Sequence, residues 1–592
     1  MLTKESMEPK ELTQDAEFIR NAYRKAALSG MLSILSVNIN VVVDGILVGR
    51  RLGPDALAAI NLSMPVWWAL CVVGAFLAAG TEIPAARAMG IGDSRRRDIF
   101  FRTGLNVSVL ASVFITVLGL IFLRPLVSFL GADGATFEYV RQYVKIMLIG
   151  ALPKIVIYIP FWYLRLDGQH ADVSVMMAGM AGINIVLDVL FVYYMNMGVY
   201  GAGLASMIAT AAACLYGLIR LFFGECPNTW RPEIVHTWHE WKTILTAGMP
   251  SAFNNLCATV KLLLLNSVLM GYGGAGLMAV FSAINGIAGF GECVTLGVPA
   301  AGSAVLAVFS GERDNGSCRL LLREEWKTGC LAGIVFSALC LALSGLIPGL
   351  YGLKERIFVP LLWMTLSIFP ALFLNILTTY YNIASLSRWA NVLIFLRMIV
   401  MPYAGLSLNT ATGFSVFSFL LFGEAATILV WWAATGLRHR RRPQESRYLM
   451  ANLENERNRQ VLNFSVGAQV DEIVSASERI STFCAENGMS AKETTLLEMS
   501  MEEVMTLIVQ VNAEQGVRNL RFDLRAFAVS GVQGIRIRYS GKAFNPFSFS
   551  EAEGEAGADQ YLGVRMIRKM VEDINYQRTF GVNALQILLK EG

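Results

Sequence analysis

Residues 104–123 read GLNVSVLASVFITVLGLIFL, and this stretch contains no Asp, Glu, Lys or Arg. A helix of about 20 such residues spans the hydrocarbon core of a bilayer. A second uncharged stretch, 329–348, lies in the other half of the chain. Hydrophobic residues make up 55% of the 592 residues and charged residues only 16%, which excludes a string of ordinary soluble domains. The sequence therefore predicts a membrane protein.

The apolar runs recur along the chain and predict an all-α polytopic membrane protein. There are about twelve of them, near 28–50, 60–86, 101–124, 139–163, 173–196, 202–223, 243–271, 277–308, 326–349, 357–383, 388–407 and 413–437. The clearest arginine clusters, such as Arg95–Arg97 and Arg438–Arg442, follow even-numbered runs. Because Lys and Arg collect in cytoplasmic loops, both termini are expected in the cytoplasm. The N-terminal segment 1–27 lacks the apolar core of a signal peptide.

An internal duplication divides the apolar region into two halves. The stretch Asp44–Gly49 reappears about 220 residues later as Asn266–Gly271. This predicts a first lobe of six helices at 28–224, a cytoplasmic linker at 225–242, and a second lobe of six helices at 243–437. An even number of helices in each repeat gives both lobes the same direction of insertion, with a cavity between them, which favours a transporter.

Four ordered motifs in the first lobe carry a resemblance to a known family. They are VDGILVG at 43–49, RLDGQ at 165–169, NIVLD at 184–188 and GVYGAG at 198–203. In this order they resemble the multidrug and toxic compound extrusion (MATE) family. The resemblance implies a transporter of the bacterial inner membrane that exports small organic, often cationic and amphipathic, compounds. It implies rocking between inward-open and outward-open states, driven by protons or sodium ions, without a cofactor.

Polar residues in the first lobe are candidates for the coupling-ion site. Asp44 lies within the first span, where a carboxylate near the bilayer centre is costly and marks a functional site by default. Asn184 and Asp188 are four residues apart, so both project from one face of the fifth span. These three residues are predicted to hold a proton or a sodium ion together. The family resemblance adds Ser206 on the sixth span, where relatives often carry a hydroxyl.

The second lobe contains further polar residues with two open interpretations. Its four intramembrane charges, which sum to zero, are Lys261, Glu292, Arg397 and Glu424. They form either a buried ion-paired network or, through an acidic member, a counter-charge in the path of a cationic cargo. Asn254 and Asn255 are predicted to line the same cavity.

The nine cysteines include no CxxC pair, and the chain has no basic domain. No metal site and no nucleic-acid partner are therefore expected.

The tail, 438–592, has the composition of a soluble domain and predicts an α+β sandwich that includes a helix at Tyr561–Ile574. It resembles the histidine-kinase-like ATPase fold, in the compact form of anti-sigma-factor kinases, through EEVMT at 502–506, GKAFNP at 541–546 and LGVRMIR at 562–568.

The resemblance implies a nucleotide site with positions at Glu503, Leu507, Tyr539, Gly541 and Gly563. Leu507 stands where the family holds magnesium with Asn, and Tyr539 stands where it reads adenine with Asp. Because neither side chain can replace those groups, the site is predicted to be degenerate.

The tail is therefore expected to be a regulatory or docking module for a cytosolic protein, without ATPase or kinase activity. Two other functions remain open. A lipid-linked saccharide flippase of the same superfamily would need a cationic cavity, which Asp44 and Asp188 disfavour. A membrane sensor that signals through its tail would need a competent nucleotide site, which Leu507 and Tyr539 disfavour.

Overall fold

The computed structural model describes residues 19–20, 23–24, 26–36, 38–39, 54–90, 93–130, 134–224, 229–312, 314–350, 357–412, 415–450, 460–517, 520–529, 532–542, 544–547, 562–579 and 582–589. The Asp44 motif at 43–49 lies outside the described residues.

Helices account for nearly all of the described membrane part. Before the linker they are α1 (Ala26–Ser36), α2 (Pro54–Gly90), α3 (Ser94–Ile121), α4 (Leu123–Phe129), α5 (Gly134–Ile149), α6 (Ala151–Val156), α7 (Tyr158–Leu166), α8 (His170–Asp188) and α9 (Gly198–Phe223). After it they are α10 (Trp238–Thr295), α11 (Gly297–Gly311), α12 (Asn315–Ala342), α13 (Ile347–Leu350), α14 (Phe358–Ile383), α15 (Ser387–Phe395), α16 (Met401–Thr412) and α17 (Phe419–Arg441).

Nine helices of the described part are long and apolar enough to cross a membrane. The number rises to ten if the bent pair Phe137–Ile149 and Ala151–Leu166, whose axes differ by 58°, crosses as one span. The all-α polytopic class is thus confirmed, and the chain is a multi-pass membrane protein. The number of spans in the described residues is lower than the predicted twelve, in part because much of the first predicted span lies outside them.

The turn predicted between the seventh and eighth spans, at 272–276, was wrong. A single helix, α10, runs through 58 residues from Trp238 to Thr295, and a candidate span begins within it at Ala283 and ends at Gly311. The glycines near residue 273 favour a turn, but they also permit a helix. A helix of 58 residues is about 87 Å long, so only part of α10 fits within a hydrocarbon core about 30 Å thick.

The two lobes share a hydrophobic core at only one end of the described bundle. We call this the basic end, because Arg87, Arg95 and Arg438 lie there. Its buried cluster combines Ala85 of the first lobe with Leu306 and Tyr381 of the second. Toward the opposite end, separate clusters belong to one lobe each, around Val140 and Met147 or around Leu361 and Phe419. The lobes are therefore joined at the basic end and packed separately at the other.

The tail forms one antiparallel sheet with helices on one face. The strands are β1 (Val461–Gly467), β2 (Arg521–Val529), β3 (Val532–Ser540), β4 (Asp573–Thr579) and β5 (Val582–Leu588), in the order β1-β2-β3-β5-β4. The helices are α18 (Val470–Glu486), α19 (Ala491–Glu514) and α20 (Leu562–Met570). Side chains such as Leu524 and Ile537 are fully buried in the core beneath the helices. The predicted α+β class of the tail is confirmed.

One predicted tail helix was too long. The sequence predicted a helix at Tyr561–Ile574, whereas α20 ends at Met570 and β4 begins at Asp573. Strand β4 pairs with β5 from Asp573↔Leu588 to Thr579↔Val582. This pairing gives the backbone its hydrogen bonds. Because it depends on a neighbouring strand, the local helical pattern does not predict it.

Candidate functional site

Three of the four predicted coupling residues lie together inside the first lobe. The amide Nδ2 of Asn184 donates to Asp188 Oδ2 over 2.9 Å and to Ser206 Oγ over 3.4 Å. The three residues are only 1%, 1% and 7% exposed, respectively. Asp44, the fourth, lies outside the described residues. The described part of the site is thus a buried group of one carboxylate, one amide and one hydroxyl.

Two neighbouring helices create this arrangement. Asn184 and Asp188 are one turn apart on α8, so their side chains lie on the same face. The chain continues beyond Asp188 as a π-helical segment, Val189–Tyr194. Such segments are rare and often occur at functional sites. Helix α9 packs against α8, and this contact brings Ser206 to Asn184.

A second hydroxyl extends the polar group along α9. Thr210 donates to the carbonyl oxygen of Ser206 over 2.7 Å and is only 2% exposed. Its hydroxyl is therefore occupied with the helix backbone, whereas the hydroxyl of Ser206 contacts Asn184. The sequence analysis did not include Thr210, and its position one turn after Ser206 was the signal that could have found it.

A buried lysine lies close to an aromatic ring, and the sequence analysis did not predict this pairing. The Nζ atom of Lys154 lies 3.5 Å from the centre of the Trp67 ring, and Lys154 is 9% exposed. A cation over an indole face is attracted by the ring quadrupole. Lys154 belongs to α6, which begins at the bend after Gly150. A charged residue directly after Pro153 in an otherwise apolar run was the available signal.

The polar residues predicted for the second lobe divide into two groups. Arg397 donates to Asn375 Oδ1 over 2.5 Å and to Glu424 Oε1 over 3.1 Å, and all three residues are buried. This is the geometry of the ion-paired interpretation. Lys261 has Glu424, Arg397 and Glu292 as electrostatic neighbours, but the structure gives it no ion pair with them within 4 Å.

The other second-lobe candidates are more accessible. Glu292 on α10 is exposed, and Asn254 and Lys261 are half-buried on the same helix. Asn255 is also half-buried and donates to the carbonyl oxygen of Ser251 over 3.1 Å. Of the predicted charged residues in this lobe, Glu292 is thus the carboxylate that remains accessible, since Glu424 is held by Arg397.

The predicted nucleotide positions of the tail are largely filled by protein side chains. Leu507 is 4% exposed and belongs to the tail core. Tyr539 is fully buried, and its hydroxyl donates to the carbonyl oxygen of Phe544. Burial also raises the pKa of Tyr539 well above its ordinary value. These two side chains offer no carboxylate or amide oxygen to a magnesium ion or an adenine.

Two of the remaining positions are in close contact with polar side chains. Gly541 has φ +132° and lies against Asn512, whose Oδ1 accepts from the backbone N–H of Lys542 over 3.3 Å. Gly563 lies against the carboxylate of Glu503. Glu503, Gly541 and Gly563 thus each keep a local structural contact, and the acidic side chain of this set is turned toward α20.

Comparison with known proteins assigns the first lobe to a family model and the whole membrane part to a fold. The family model MatE matches residues 31–214. A solved structure entitled "Outward-facing conformation of a multidrug resistance MATE family transporter of the MOP superfamily" aligns with a TM-score of 0.67 and 22% identity. The alignment covers 72% of this chain and 98% of that one. The similarity to the MATE family that the sequence predicts is thus confirmed.

Two curated relatives are similar over a shorter length. The FAD transporter of Shewanella oneidensis is 25% identical over 234 residues, which is 39% of this chain and 51% of that protein. The multidrug export protein MepA of Staphylococcus haemolyticus is 24% identical over 249 residues, which is 42% of this chain and 54% of that protein. The chain therefore spans about half the length of these curated relatives.

Proposed function

We propose that this chain, a MATE-type membrane protein by its MatE match and its fold, exports small organic cations by antiport. In this proposal, inward movement of a proton or a sodium ion supplies the free energy, and the two lobes alternate in opening the cavity to either side. The chain then acts as a transporter and not as an enzyme. It needs no prosthetic cofactor, because the coupling ion and the cargo are both transported.

The observation that carries the coupling proposal is the buried group in which Asn184 donates to both Asp188 and Ser206. A buried carboxylate is costly when ionised in a membrane protein, and it is a functional candidate for that reason. Gain or loss of a cation at Asp188 changes the charge of a site that is 1% exposed. We propose Asp44 as the second carboxylate of the same site, on the basis of the sequence alone.

The direction of the Asn184 amide supports a proton as the coupling ion. Its Nδ2 atom, a donor, faces both Asp188 and Ser206. A dehydrated sodium ion requires oxygen ligands, as do other hard cations. Sodium would therefore need the amide to turn its oxygen inward, whereas a proton could bind at the Asp188 carboxylate without that change. We favour proton coupling within the proposed antiport.

Alternating access supplies the transport step in this proposal. If protonation and cargo binding favour opposite states, a few kcal/mol of differential affinity shifts the populations of those states. The joined basic end and the separate packing at the opposite end support a cavity that opens away from the basic end. With arginine clusters on the cytoplasmic side, this state would be outward-open.

Glu292 supports an organic cation as the cargo. It is accessible on α10, and Glu424 is engaged by Arg397, so Glu292 is the proposed counter-charge in the second lobe. Asn254, Asn255 and Lys261 on the same helix are proposed to line the cavity near it. A saccharide flippase that binds a pyrophosphate would need cationic side chains, which Asp188 and Glu292 disfavour. An organic cation is therefore the proposed cargo, because acidic residues occur in both lobes.

The tail is proposed to be a cytoplasmic regulatory module that lacks ATPase and kinase activity. The burial of Leu507 and Tyr539 supports this proposal, because neither side chain has the carboxylate or amide oxygen that magnesium or adenine would need. The same burial argues against a sensor that signals by phosphorylation. We propose the domain boundaries predicted from the sequence, with the tail beginning at residue 438.

The decisive test is transport of a fluorescent organic cation by proteoliposomes with an imposed proton or sodium gradient. Intact protein is compared with Asp188→Asn and Asp44→Asn. Both substitutions keep the size of the side chain and remove its ionisable group. We expect gradient-driven transport to fall at least about tenfold in each variant, because the coupling charge is lost.

A matched control is Asp172→Asn, the same chemical change near the start of α8. Asp172 pairs with Arg220 over 2.9 Å and lies about 24 Å along the helix from Asp188. This variant should retain most of the transport. Dye movement that follows neither gradient, or that persists unchanged in Asp188→Asn, would reject the coupling proposal and favour the flippase.

A further inference from the structure

The open face of the tail sheet contacts a turn of the second lobe. The turn connects α11 to α12 and contributes Glu312 and Asp314. The sheet contributes Asp523 and Arg525 from β2 and Arg536 and Arg538 from β3, with Asp523 opposite Arg538 and Arg525 opposite Arg536 in the strand register. We call these six residues the acidic-turn cluster.

The charges of the acidic-turn cluster are closely paired. Arg536 lies 2.5 Å from Glu312 Oε2 and 3.1 Å from Asp314 Oδ2. Arg525 lies 3.2 Å from Asp314 Oδ1, and Arg538 contacts Glu312 as well. The guanidinium of Arg538 also lies 4.3 Å from the centre of the Phe309 ring on α11. Three cations of the tail thus meet two anions of the membrane part across their boundary, and Asp523 adds a third anion from the tail itself.

The cluster is inaccessible to solvent. The exposed fractions of its side chains lie between 0% for Asp314 and 8% for Arg525. Burial alone would raise the pKa of Asp314, but the guanidinium groups of Arg525, Arg536 and Arg538 hold it well below its ordinary range. Removal of one partner from such a network leaves an uncompensated buried charge, which is strongly destabilising. The contact should therefore form or break as a unit.

The same turn also supports the contact between the lobes. Gly311 immediately precedes Glu312, and a Cβ atom at Gly311 would lie only 2.5 Å from the carbonyl oxygen of Arg87 in the first lobe. The Nη2 atom of Arg87 donates to the carbonyl oxygen of Asn382 at the end of α14 over 3.0 Å. The turn bound by the tail is thus the surface on which the first lobe rests at the basic end.

The segment that leads into the tail binds the second lobe as well. The hydroxyl of Tyr380 donates to the carbonyl oxygen of Leu449 over 3.1 Å, and that of Tyr381 to Tyr448 over 2.8 Å. The Tyr448 ring stacks on Trp431 of α17, with centroids 5.6 Å apart. The tail is therefore attached to the second lobe at two separate places, through its entering segment and through its sheet.

We propose that the open face of the tail sheet is a binding surface for an acidic turn, occupied in this chain by Glu312 and Asp314, and that this contact holds the lobes closed at the basic end. The ligand is a segment with two carboxylates two residues apart. Release of the segment would free the turn on which Arg87 rests and let the lobes separate there. The proposal rests on the alternating access proposed above and names the contact through which the tail regulates it.

The test is hydrogen–deuterium exchange of the full chain in lipid nanodiscs. In Glu312→Lys we expect exchange of the 310–317 amides to accelerate at least about tenfold, because the docked state is lost. Exchange at 382–386, where Arg87 caps α14, should accelerate too. The charge-swapped double variant Glu312→Lys, Arg538→Glu should recover protection in both segments. Unchanged exchange of the α19 amides verifies that the tail stays folded in these variants. If the tail unfolds in Glu312→Lys, the milder variant Glu312→Gln takes its place.

The matched control is Lys569→Glu, a charge reversal at an exposed residue of α20 on the other face of the tail. It should leave both segments protected as in the parent chain. Exchange at 310–317 that stays unchanged in Glu312→Lys would overturn the binding surface. Acceleration at 310–317 with full protection at 382–386 would overturn the role in closure. Neither readout depends on transport, so a failed transport assay would count only against the proposed function.

Discussion

At the scale of single residues, the buried polar side chains are distinguished by their partners. Asn184, Asp188 and Ser206 contact one another across two helices. Arg397 and Glu424 neutralise each other inside the second lobe. Both groups are buried, but Glu424 is held by the guanidinium of Arg397, whereas Asp188 accepts a hydrogen bond from the amide of Asn184. We propose the first group as the coupling site because it combines a buried carboxylate, an amide and a hydroxyl from two adjacent helices.

The residues at positions 507 and 539 predict that the full chain does not bind nucleotides. A bound adenine would have to displace the Tyr539 side chain, which is fully buried and hydrogen bonded to Phe544. A fluorescent ATP analogue with Mg²⁺ should therefore show no saturable binding to the full chain in detergent up to about 1 mM, the weak end of specific affinity. Saturable binding that unlabelled ATP displaces would contradict the degenerate site and revive the sensor.

At the scale of helices, close contact between α2 and α10 joins the lobes. Gly248 of α10 is buried, and a Cβ atom there would lie 2.4 Å from the carbonyl oxygen of Phe76 on α2. Because the atom in the way belongs to the backbone, no side-chain rotation relieves the clash. The approach of these two helices thus depends on the missing side chain at position 248.

Gly248→Ala is accordingly expected to destabilise the protein by about 1–3 kcal/mol, the usual cost of overpacking. The measurement is the thermal unfolding of purified protein in detergent, followed by intrinsic fluorescence. The control is Gly179→Ala on α8, because a Cβ atom at Gly179 would have nothing within 4 Å. Alanine there should be neutral or slightly stabilising. Equal melting temperatures for the two variants would argue against the tight α2–α10 contact.

At the scale of the whole molecule, the tail and both lobes meet at the basic end. The shared hydrophobic core, the Arg87 contact and the acidic-turn cluster all lie there. Arginine at the ends of helices also predicts which side of the membrane this end faces, since Lys and Arg are retained in the cytoplasm. Regulation by a cytosolic protein requires the same orientation.

We therefore expect a fluorescent protein fused after Gly592 to be bright in bacterial cells, because its chromophore matures in the cytoplasm. Alkaline phosphatase fused at the same place should be inactive, since it requires export to fold. The opposite result is expected for each reporter inserted at residues 351–356, which lie between α13 and α14 in the sequence. An active phosphatase at the C-terminal position would reverse the assigned orientation and place the tail outside.

Much of the fold was predictable because it depends on the local pattern of apolar and charged residues. The charge-free runs determine helices that must satisfy their own backbone hydrogen bonds in lipid. The spacing of Asn184 and Asp188 also places both on one face of α8 without any tertiary information. The strand β4 was not predicted, because pairing with the neighbouring strand β5 overrode the local helix signal.

By itself, the sequence determined the membrane class, the similarity to the MATE family and the α+β class of the tail. Those features depend on hydropathy, repetition and motifs, which are read along the chain. Only the tertiary structure decided that Ser206 contacts Asn184, that Arg397 neutralises Glu424, and that β3 of the tail binds Glu312. Each of these contacts joins residues that are distant in sequence, and their pairing depends on how the helices and strands approach one another in space.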